Sequence, residues 1–529
     1  MRYYLSIYLV VAGFYLLTAS GRIGLADSVA MFNVAQSMID QRSVSSEPCE
    51  FDESAPDAGA SIGCVPGVNG RHYAGYGLIP SFVAVLPILG ARSVAAVVHV
   101  NPVVMSKSAV SVFTLLVAPL VCLVVAAWML KLGYSRWAAA AGACVLGLAS
   151  PLWNDSVLGF LSEPYFTLAL VTSACLLSIP RRRYACAIAG LAFGAACGTR
   201  LNGVILLPAF MLGIASSNWV RKLSWKNLLR DVFQFSAAFS LCALLIGLLN
   251  YTRFGSPLHT GYHVAFPSTS ALLSNPLLQG LSDLLFSGEI GLLVFAPWVV
   301  IAWICFPRFA RVHLPEALLC GTSFLIYLLF FAKFSDWHGG WVAGPRFLIP
   351  ILPFLMIAMA PALEDLVQAA FTKQRPWGVV SVLLLVSVVA GFAVQCLTVI
   401  YPVNRYYALW EFYERRPPKP WWFGSIPLAS LTFLSRMNLN PTAQPADIGE
   451  TDVSSARRKQ EAAVAFAYSA ATEEEYLAHF PNAANMMLPN LMVLKFRLLG
   501  LPGSLAIVYL VTALALVLAG SIGLKRALG

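Results

Sequence analysis

Of the 529 residues of the chain, 58% are hydrophobic and only 11% are charged, against about 25% charged in a soluble domain, and the mean hydropathy is +0.73. A water-soluble fold would lack the polar surface to cover itself, so the composition points to an all-α integral membrane protein. The formal net charge of +10 does not indicate a nucleic-acid partner, because the basic residues fall in short clusters between apolar runs and form no continuous stripe.

The first apolar run, about Tyr3 to Ala19, follows Arg2. A signal peptide has an apolar core of about 7–15 residues and a small-residue cleavage site. No such site follows here, so the run reads as a retained first span. A long polar loop comes next, about Gly21 to Met105. In it Asp27 leads a segment with apolar residues at Ala30, Met31, Val34, Ala35, Met38 and Ile39, the spacing of an amphipathic helix lying on the membrane surface. Cys49 and Cys64 share this loop and form a disulfide candidate if it faces an oxidising compartment. Most other cysteines, among them Cys122, Cys144, Cys175, Cys242 and Cys396, lie in apolar runs and read as small buried hydrophobes. The stretch from Tyr76 to Val100 is apolar but interrupted by Pro80, Pro87, Gly90 and Arg92. It is expected to be re-entrant or interfacial, since counting it as a span would reverse the side of every later loop.

Further spans are expected at about Ser106–Leu130, Trp137–Trp153, Phe160–Ile179, Tyr184–Thr199, Leu201–Ser217 and Val232–Asn250. Others follow at Ile290–Phe306, Leu314–Lys333, Phe347–Leu366, Val379–Ile400 and Ser504–Leu524, giving about twelve in all. With the N-terminus inside, Arg181–Arg183, Arg221, Lys222, Lys226, Arg230, Arg308, Arg311, Lys373, Arg375, Lys525 and Arg526 all fall on the cytoplasmic side. Both termini are then cytoplasmic. The first loop, with Asp27, Asp40, Glu47, Glu50, Asp52, Glu53 and Asp57, faces out. Residues 1–401 read as a transmembrane core and 402–502 as an outer hydrophilic segment. Residues 503–529 read as the last span and a tail. The outer segment opens with Trp410, Pro417, Pro418, Pro420, Trp421 and Trp422, residues suited to the headgroup region. Residues 456–471 look helical, and 441–445 look like a linker. No fixed-period repeat or inverted duplication is evident.

With this sidedness, polar residues converge at the outer mouth. Asp27 taken alone reads as a helix cap, a place Asp favours. Asp155 and Glu163 flank the mouth of the third and fourth spans. Glu163 reads either as stabilising a helix N-terminus or as a functional acid near membrane depth. Arg200 sits where the positive-inside rule disfavours it, so it calls for a partner: an internal acid, a headgroup or a substrate. The loop from Asn250 to Tyr262, with Arg253, His259 and Tyr262, has the turn residues and hydrogen-bonding side chains of a binding loop. Asp336-Trp337-His338-Gly339-Gly340-Trp341, then Gly344-Pro345-Arg346, forms a second. Arginine grips a phosphate through two parallel hydrogen bonds, and glycine permits close approach of a ligand. His338 beside Asp336 could hold a metal, but no second histidine stands at ligand spacing. The metal assignment stays open.

The order of these residues carries a resemblance. It runs from an acid in the first outer loop, through Gly70-Arg71-His72-Tyr73-Ala74-Gly75-Tyr76-Gly77, Ser162-Glu163-Pro164 and Arg200. It continues with Arg253-Phe254-Gly255-Ser256-Pro257 and Trp337-His338-Gly339-Gly340, and ends at Gly344-Pro345-Arg346-Phe347-Leu348-Ile349-Pro350. Over about residues 1–401 the chain resembles the bacterial GT-C superfamily of membrane glycosyltransferases. Its members include lipid-linked-mannose:protein mannosyltransferases and aminoarabinose transferases of lipid A. The resemblance implies a GT-C-like helical bundle in the bacterial cytoplasmic membrane. It also implies transfer of a hexosyl or pentosyl group from a polyprenyl-phosphate donor to a lipid, glycan or protein acceptor of the cell envelope, with a periplasmic active site. The family places an acid in the first outer loop at the reaction centre, and Asp27 occupies that place. Many relatives carry paired acids there, whereas Ser28 follows here, which weakens the case for a divalent cation without removing it. No other cofactor is implied.

On this reading Asp27 is a general base toward an acceptor hydroxyl, and Glu163 is a second catalytic candidate. Arg346, with Arg200 or Arg253, holds the lipid phosphate. His259, Tyr262 and His338 complete the substrate contacts, while Trp337 and the segment beginning at Tyr76 border the lipid and sugar. A transporter or flippase for a lipid-linked sugar would also use outer arginines. It would need polar groups near the midplane, however, where these spans are nearly uncharged. A non-catalytic membrane scaffold that keeps only the fold is the third reading.

Overall fold

In the computed structural model the described residues are 1–23, 25–46, 63–178, 184–262, 268–372, 377–414, 418–435, 477, 491–495 and 503–528. Cys49, the acidic stretch 47–57, Arg181–Arg183, Lys373, Arg375 and the 441–471 region lie outside them. The chain is helical throughout the described residues apart from a short hairpin pairing Val65–Pro66 with His72–Tyr73. The first ten principal helices are α1 (Arg2–Leu17), α2 (Ala26–Asp40), α3 (Ile79–Val98), α4 (Pro102–Lys131), α5 (Arg136–Leu148), α6 (Pro151–Val157), α7 (Glu163–Leu177), α8 (Ala185–Thr199), α9 (Leu207–Val220) and α10 (Trp225–Phe254).

Seven helices among the described residues are long and apolar enough to cross a membrane. An eighth span is available if the bent pair Arg346–Ala358 and Ala360–Ala370, which meet at 52°, is one. Shorter apolar helices, α1, α5, α7 and α8 among them, accompany these. Their outward faces are apolar: α10 exposes Phe233, Leu241, Leu244, Leu245 and Leu248, which in water would be prohibitive and in lipid is expected. The chain is a multi-pass membrane protein.

Between helices, close approach is secured by small residues and buried hydrogen bonds, the usual means where lipid removes any hydrophobic preference for helix association. A Cβ at Gly13 would meet the backbone of Val517 at 2.9 Å, and one at Gly520 would meet that of Val10 at 2.7 Å. So α1 and the last helix, Gly503–Leu528, lie backbone to backbone. Tyr15 donates to the Gly147 carbonyl at 2.8 Å and Trp153 to the Thr18 hydroxyl at 2.9 Å. Trp298 donates to the Ala149 carbonyl at 2.8 Å.

One sequence expectation is given a definite form and another is realised differently. The Tyr76–Val100 stretch forms an unbroken helix, α3, with Pro87 inside it. Pro87 removes one backbone hydrogen bond, a loss that packed helices in membranes tolerate, and the Arg92 charge is met by Asp40 at 2.5 and 2.8 Å. By length and composition α3 could cross a membrane. Its two ends nevertheless lie toward one end of the bundle. Gly77, just before it, packs on the Gly198 and Thr199 carbonyls where α8 stops. Beyond it begins α4, whose Ser108 bonds to the Gly21 carbonyl just past α1. The expected continuous span Ile290–Phe306 is broken instead: Leu292–Phe295 is a single turn, and Val299–Val312 begins after Pro297.

Candidate functional site

The α2–α7 end of the bundle gathers charge. Gly159, at φ +129°, lies so close to the chain before α2 that a Cβ would meet the Arg22 carbonyl at 2.4 Å. This contact brings the first turn of α2, with Asp27, against the first turn of α7, with Glu163. Pro164 follows Glu163 in the first helical turn, where its missing N–H costs nothing. Arg346 opens a 3-10 turn, Arg346–Ile351, after the positive-φ Gly344 and Pro345. The preceding loop is anchored from α6, where the Asn154 amide donates to the Ala343 carbonyl at 3.0 Å.

Arg346 uses all three guanidinium nitrogens. Nε donates to Glu163, Nη2 to Asp27 Oδ2 at 2.6 Å and Nη1 to the Gly339 carbonyl at 3.3 Å. Arg200 pairs with the same Glu163 oxygen and lies 5.4 Å over the Phe347 ring. Tyr76 donates to Asp27 Oδ1 at 2.8 Å. Glu163 is fully buried and Arg346 only 6% exposed, so this is a desolvated network of two acids and two arginines, with no net charge among the four. Burial alone would raise the Asp27 carboxyl, but the Arg346 charge and hydrogen bond, with the Tyr76 hydroxyl, hold it below the ordinary carboxylate range. Burial and the Asp27 charge raise the Tyr76 phenol well above its ordinary value.

The remaining sequence candidates are placed as follows. Tyr262 lies within electrostatic reach of Arg200 and Asp27. Arg253 is engaged by backbone: it donates to the Ala74 carbonyl at 2.8 Å, the Tyr76 carbonyl at 3.4 Å and Asn250 Oδ1 at 2.6 Å. It thereby holds the segment that presents Tyr76. His259 packs against the Phe254 ring at 5.2 Å, beside Arg253. Trp337 lies edge-on to His338, centroids 5.6 Å apart. His338 faces the Glu289 carboxylate at 3.4 Å and the Gly340 carbonyl at 3.1 Å. Cys64 is disulfide-bonded, whereas Cys49, its sequence candidate, lies outside the described residues. Among the described residues no group of three or more His, Cys, Asp and Glu could hold a metal ion.

Two further acids join this picture, one of them already noted in the sequence. Asp155, from α6, is buried within reach of Glu163, Arg346, Arg200 and Asp27, and neither carboxyl oxygen has a hydrogen-bond partner among the described residues. Glu289 accepts from Tyr406 at 2.6 Å while facing His338. Asp155 carried a signal as a polar residue at the mouth of a span. Glu289 was not singled out, because its partners Tyr406 and His338 lie far along the chain.

No protein-family model matches the chain, and no curated protein sequence does. Among solved structures it is similar to ArnT from Cupriavidus metallidurans bound to undecaprenyl phosphate. The identity is 14%, over 98% of this chain and 77% of that one, with a TM-score of 0.44. It is also similar to the Archaeoglobus fulgidus oligosaccharyltransferase in its apo form, at 13% identity over 83% of this chain and 60% of that one, with a TM-score of 0.46. The oligosaccharyltransferase AglB from Archaeoglobus fulgidus, in complex with an inhibitory peptide and a dolichol-phosphate, matches at 14% identity, with the same coverage and TM-score.

Proposed function

We propose that the chain is a glycosyltransferase of the bacterial cytoplasmic membrane. It would move a sugar from a polyprenyl-phosphate donor to an acceptor hydroxyl on the outer face. The observation that carries this reading is the desolvated Asp27–Arg346–Glu163–Arg200 network at one end of an apolar bundle. Lys131, Arg136, Arg221, Lys222 and Arg311 lie on helix ends and links facing the other way. The positive-inside rule makes that second end cytoplasmic and puts the network outside.

The chemistry follows from who shares Arg346. A donor phosphate entering the network competes with Asp27 for the guanidinium. As Arg346 turns its paired N–H groups to the phosphate, Asp27 loses the partner that holds its basicity down. The carboxylate then takes the proton of the acceptor hydroxyl as that oxygen bonds to the anomeric carbon. The bond from that carbon to the phosphate oxygen breaks, and the phosphate leaves with the electron pair. Arg346 and Arg200 stabilise the charge that develops on it. Glu163 keeps the two arginines side by side, and Tyr76 orients the Asp27 carboxylate.

The test is transfer by purified protein, with radiolabelled polyprenyl-phosphate sugars as donors and membrane extract as acceptor. Label moving to a new product, and ceasing in Asp27→Asn, supports the reading. Full transfer by Asp27→Asn at wild-type protein levels removes Asp27 as the base. Saturable donor binding without transfer, abolished by Arg346→Ala, turns the assignment to a transporter or flippase of lipid-linked sugars.

A further inference from the structure

Sequence leaves the segment after Tyr401 without a role, yet its first helices sit beside the arginine loop. Glu289 lies where they meet. Its carboxylate is held on both sides: Oε1 accepts from Tyr406, a fully buried residue of helix Val403–Glu414, at 2.6 Å, and Oε2 faces His338 Nε2 at 3.4 Å. Its own carbonyl accepts from Gly344 N at 2.9 Å, two residues before Arg346. The carbonyl of the adjoining Gly288 accepts from Ile426 N at 3.1 Å, the first residue of helix Ile426–Ser435. One residue over, Tyr407 donates to the Val342 carbonyl at 2.8 Å and stacks on Trp341 at 5.6 Å. Contacts therefore run without interruption from Tyr406 through Glu289 and His338 to Gly339, whose carbonyl accepts from Arg346.

We infer that Glu289 is a positioning residue, the joint that fixes helices Val403–Glu414 and Ile426–Ser435 onto the 338–344 loop and so aims Arg346 at the donor phosphate. The segment after Tyr401 thereby becomes part of the site. Glu289 itself touches neither acid nor arginine of the network by any hydrogen bond or ion pair among the described residues. Its side chain is 19% exposed, and a carboxylate desolvated to that extent keeps its charge because two donors face it. Burial would raise its carboxyl, but the hydrogen bonds from His338 and Tyr406 hold it below the ordinary range. On its loop side the joint combines the carboxylate's contact with His338 and the Gly344 N–H bond to the Glu289 carbonyl, and a side-chain substitution removes the first.

The inference rests on the proposed role of Arg346, and its test separates the two. In the full-length protein, Glu289→Ala and Glu289→Gln are compared with wild type by transfer kinetics and by backbone hydrogen exchange. A misplacement of about 1 Å at a reacting centre costs about 100-fold, and the phosphate gains charge only as it leaves, so the loss falls on the chemical step. Glu289→Ala is expected to lower kcat by about 10- to 100-fold with the donor KM changed far less. Glu289→Gln, which keeps an acceptor for Tyr406, is expected to recover most of that loss. In Glu289→Ala, exchange at 339–344 and at 403–414 should rise together while α1 to α5 stay unchanged. Unaltered kcat in Glu289→Ala, or exchange rising in one segment without the other, overturns the joint. If wild type transfers no sugar from any donor, the reading of Arg346 fails, and the paired exchange change alone decides whether Glu289 joins the two segments.

Discussion

The network predicts a specific stability penalty at Glu163. Its carboxylate is fully buried and accepts from both Arg346 and Arg200. Glu163→Gln keeps the volume and an accepting oxygen but removes the charge, leaving Asp27 as the carboxylate that pairs directly with Arg346 and none that pairs directly with Arg200 among the described residues. Among the described residues Arg200 forms no second ion pair; its guanidinium otherwise lies over the face of Phe347. Breaking a buried ion pair by deleting one partner costs about 3–5 kcal/mol, because a charge is left uncompensated in a medium that solvates it poorly. Arg200 is 13% exposed at its side chain, which lets some solvent relieve it, so the expected cost is at the lower end, about 3 kcal/mol. Unfolding in detergent, followed by denaturant titration where it is reversible and by inactivation rate where it is not, measures this. The double variant Glu163→Gln with Arg200→Met should be less destabilised than Glu163→Gln alone, since removing the unpaired cation removes the penalty. A cost for Glu163→Gln below about 1 kcal/mol, the range of exposed pairs, or strict additivity in the cycle, would show that the network is solvated and the reasoning wrong.

Other expectations follow from the same contacts. Asp27→Asn should reduce transfer by about 100- to 10,000-fold, the usual contribution of a general base, while donor binding is kept or tightened, since the phosphate no longer competes with a carboxylate for Arg346. This is read by comparing kcat with equilibrium binding of labelled donor. Because the Asp27 carboxyl is depressed in the folded chain, its stabilising contribution is complete above the unfolded value of about 3.9. It is lost as pH falls through the lower folded value. Wild type should therefore lose stability as pH falls below about 4 that Asp27→Asn, lacking the group, does not; parallel curves for the two proteins would refute it. Arg253→Lys should loosen the Ala74–Tyr76 segment, since one ammonium cannot reproduce a fork that reaches two carbonyls and an amide. The expected sign is faster hydrogen exchange at 74–77 with donor affinity nearly kept, and a selective loss of donor affinity instead would make Arg253 a substrate contact.

How much of this was legible in the sequence depends on what kind of signal each residue leaves. The membrane class and most helices came from apolar runs, which composition cannot disguise. Arg200 broke a local rule, the positive-inside preference, while Asp27, Glu163 and Arg346 stood out as charged residues at the outer mouth, and four distant segments bring them together. Arg253 stood in a binding-loop pattern, but its partners include the Ala74 and Tyr76 carbonyls, and a backbone acceptor has no sequence signature. The same holds for Glu289: it stands at the start of an apolar run, and its meaning comes from Tyr406, more than a hundred positions away in a segment read only by composition. Pro87 and Gly90 do not break α3. They weaken a helix in isolation, yet α3 is packed along α2 and α4 through Ala84, Ile88, Met31 and Val110, and tertiary packing overrides propensity at such positions.

Arg346 is where a lysine would not serve. Its three nitrogens face Glu163, Asp27 and the Gly339 carbonyl at once, and an ammonium on a flexible stem offers no fixed fork. If donor phosphate takes Arg346 from Asp27, the base is stronger in the donor complex than in the free protein. The two can be told apart, because the acid limb of kcat/KM reports the free protein and that of kcat reports the complex. In wild type the kcat limb should lie at higher pH than the kcat/KM limb. In Arg346→Lys the free Asp27 carboxyl should move toward its ordinary value of about 3.9, so the two limbs close up. kcat should also fall by about 100- to 1,000-fold, as when one preorganised donor to a developing anion is lost. Coincident limbs in wild type, or an equal gap in both proteins, would mean that Arg346 does not pass between base and phosphate. Its pairing with Asp27 would then be structural only.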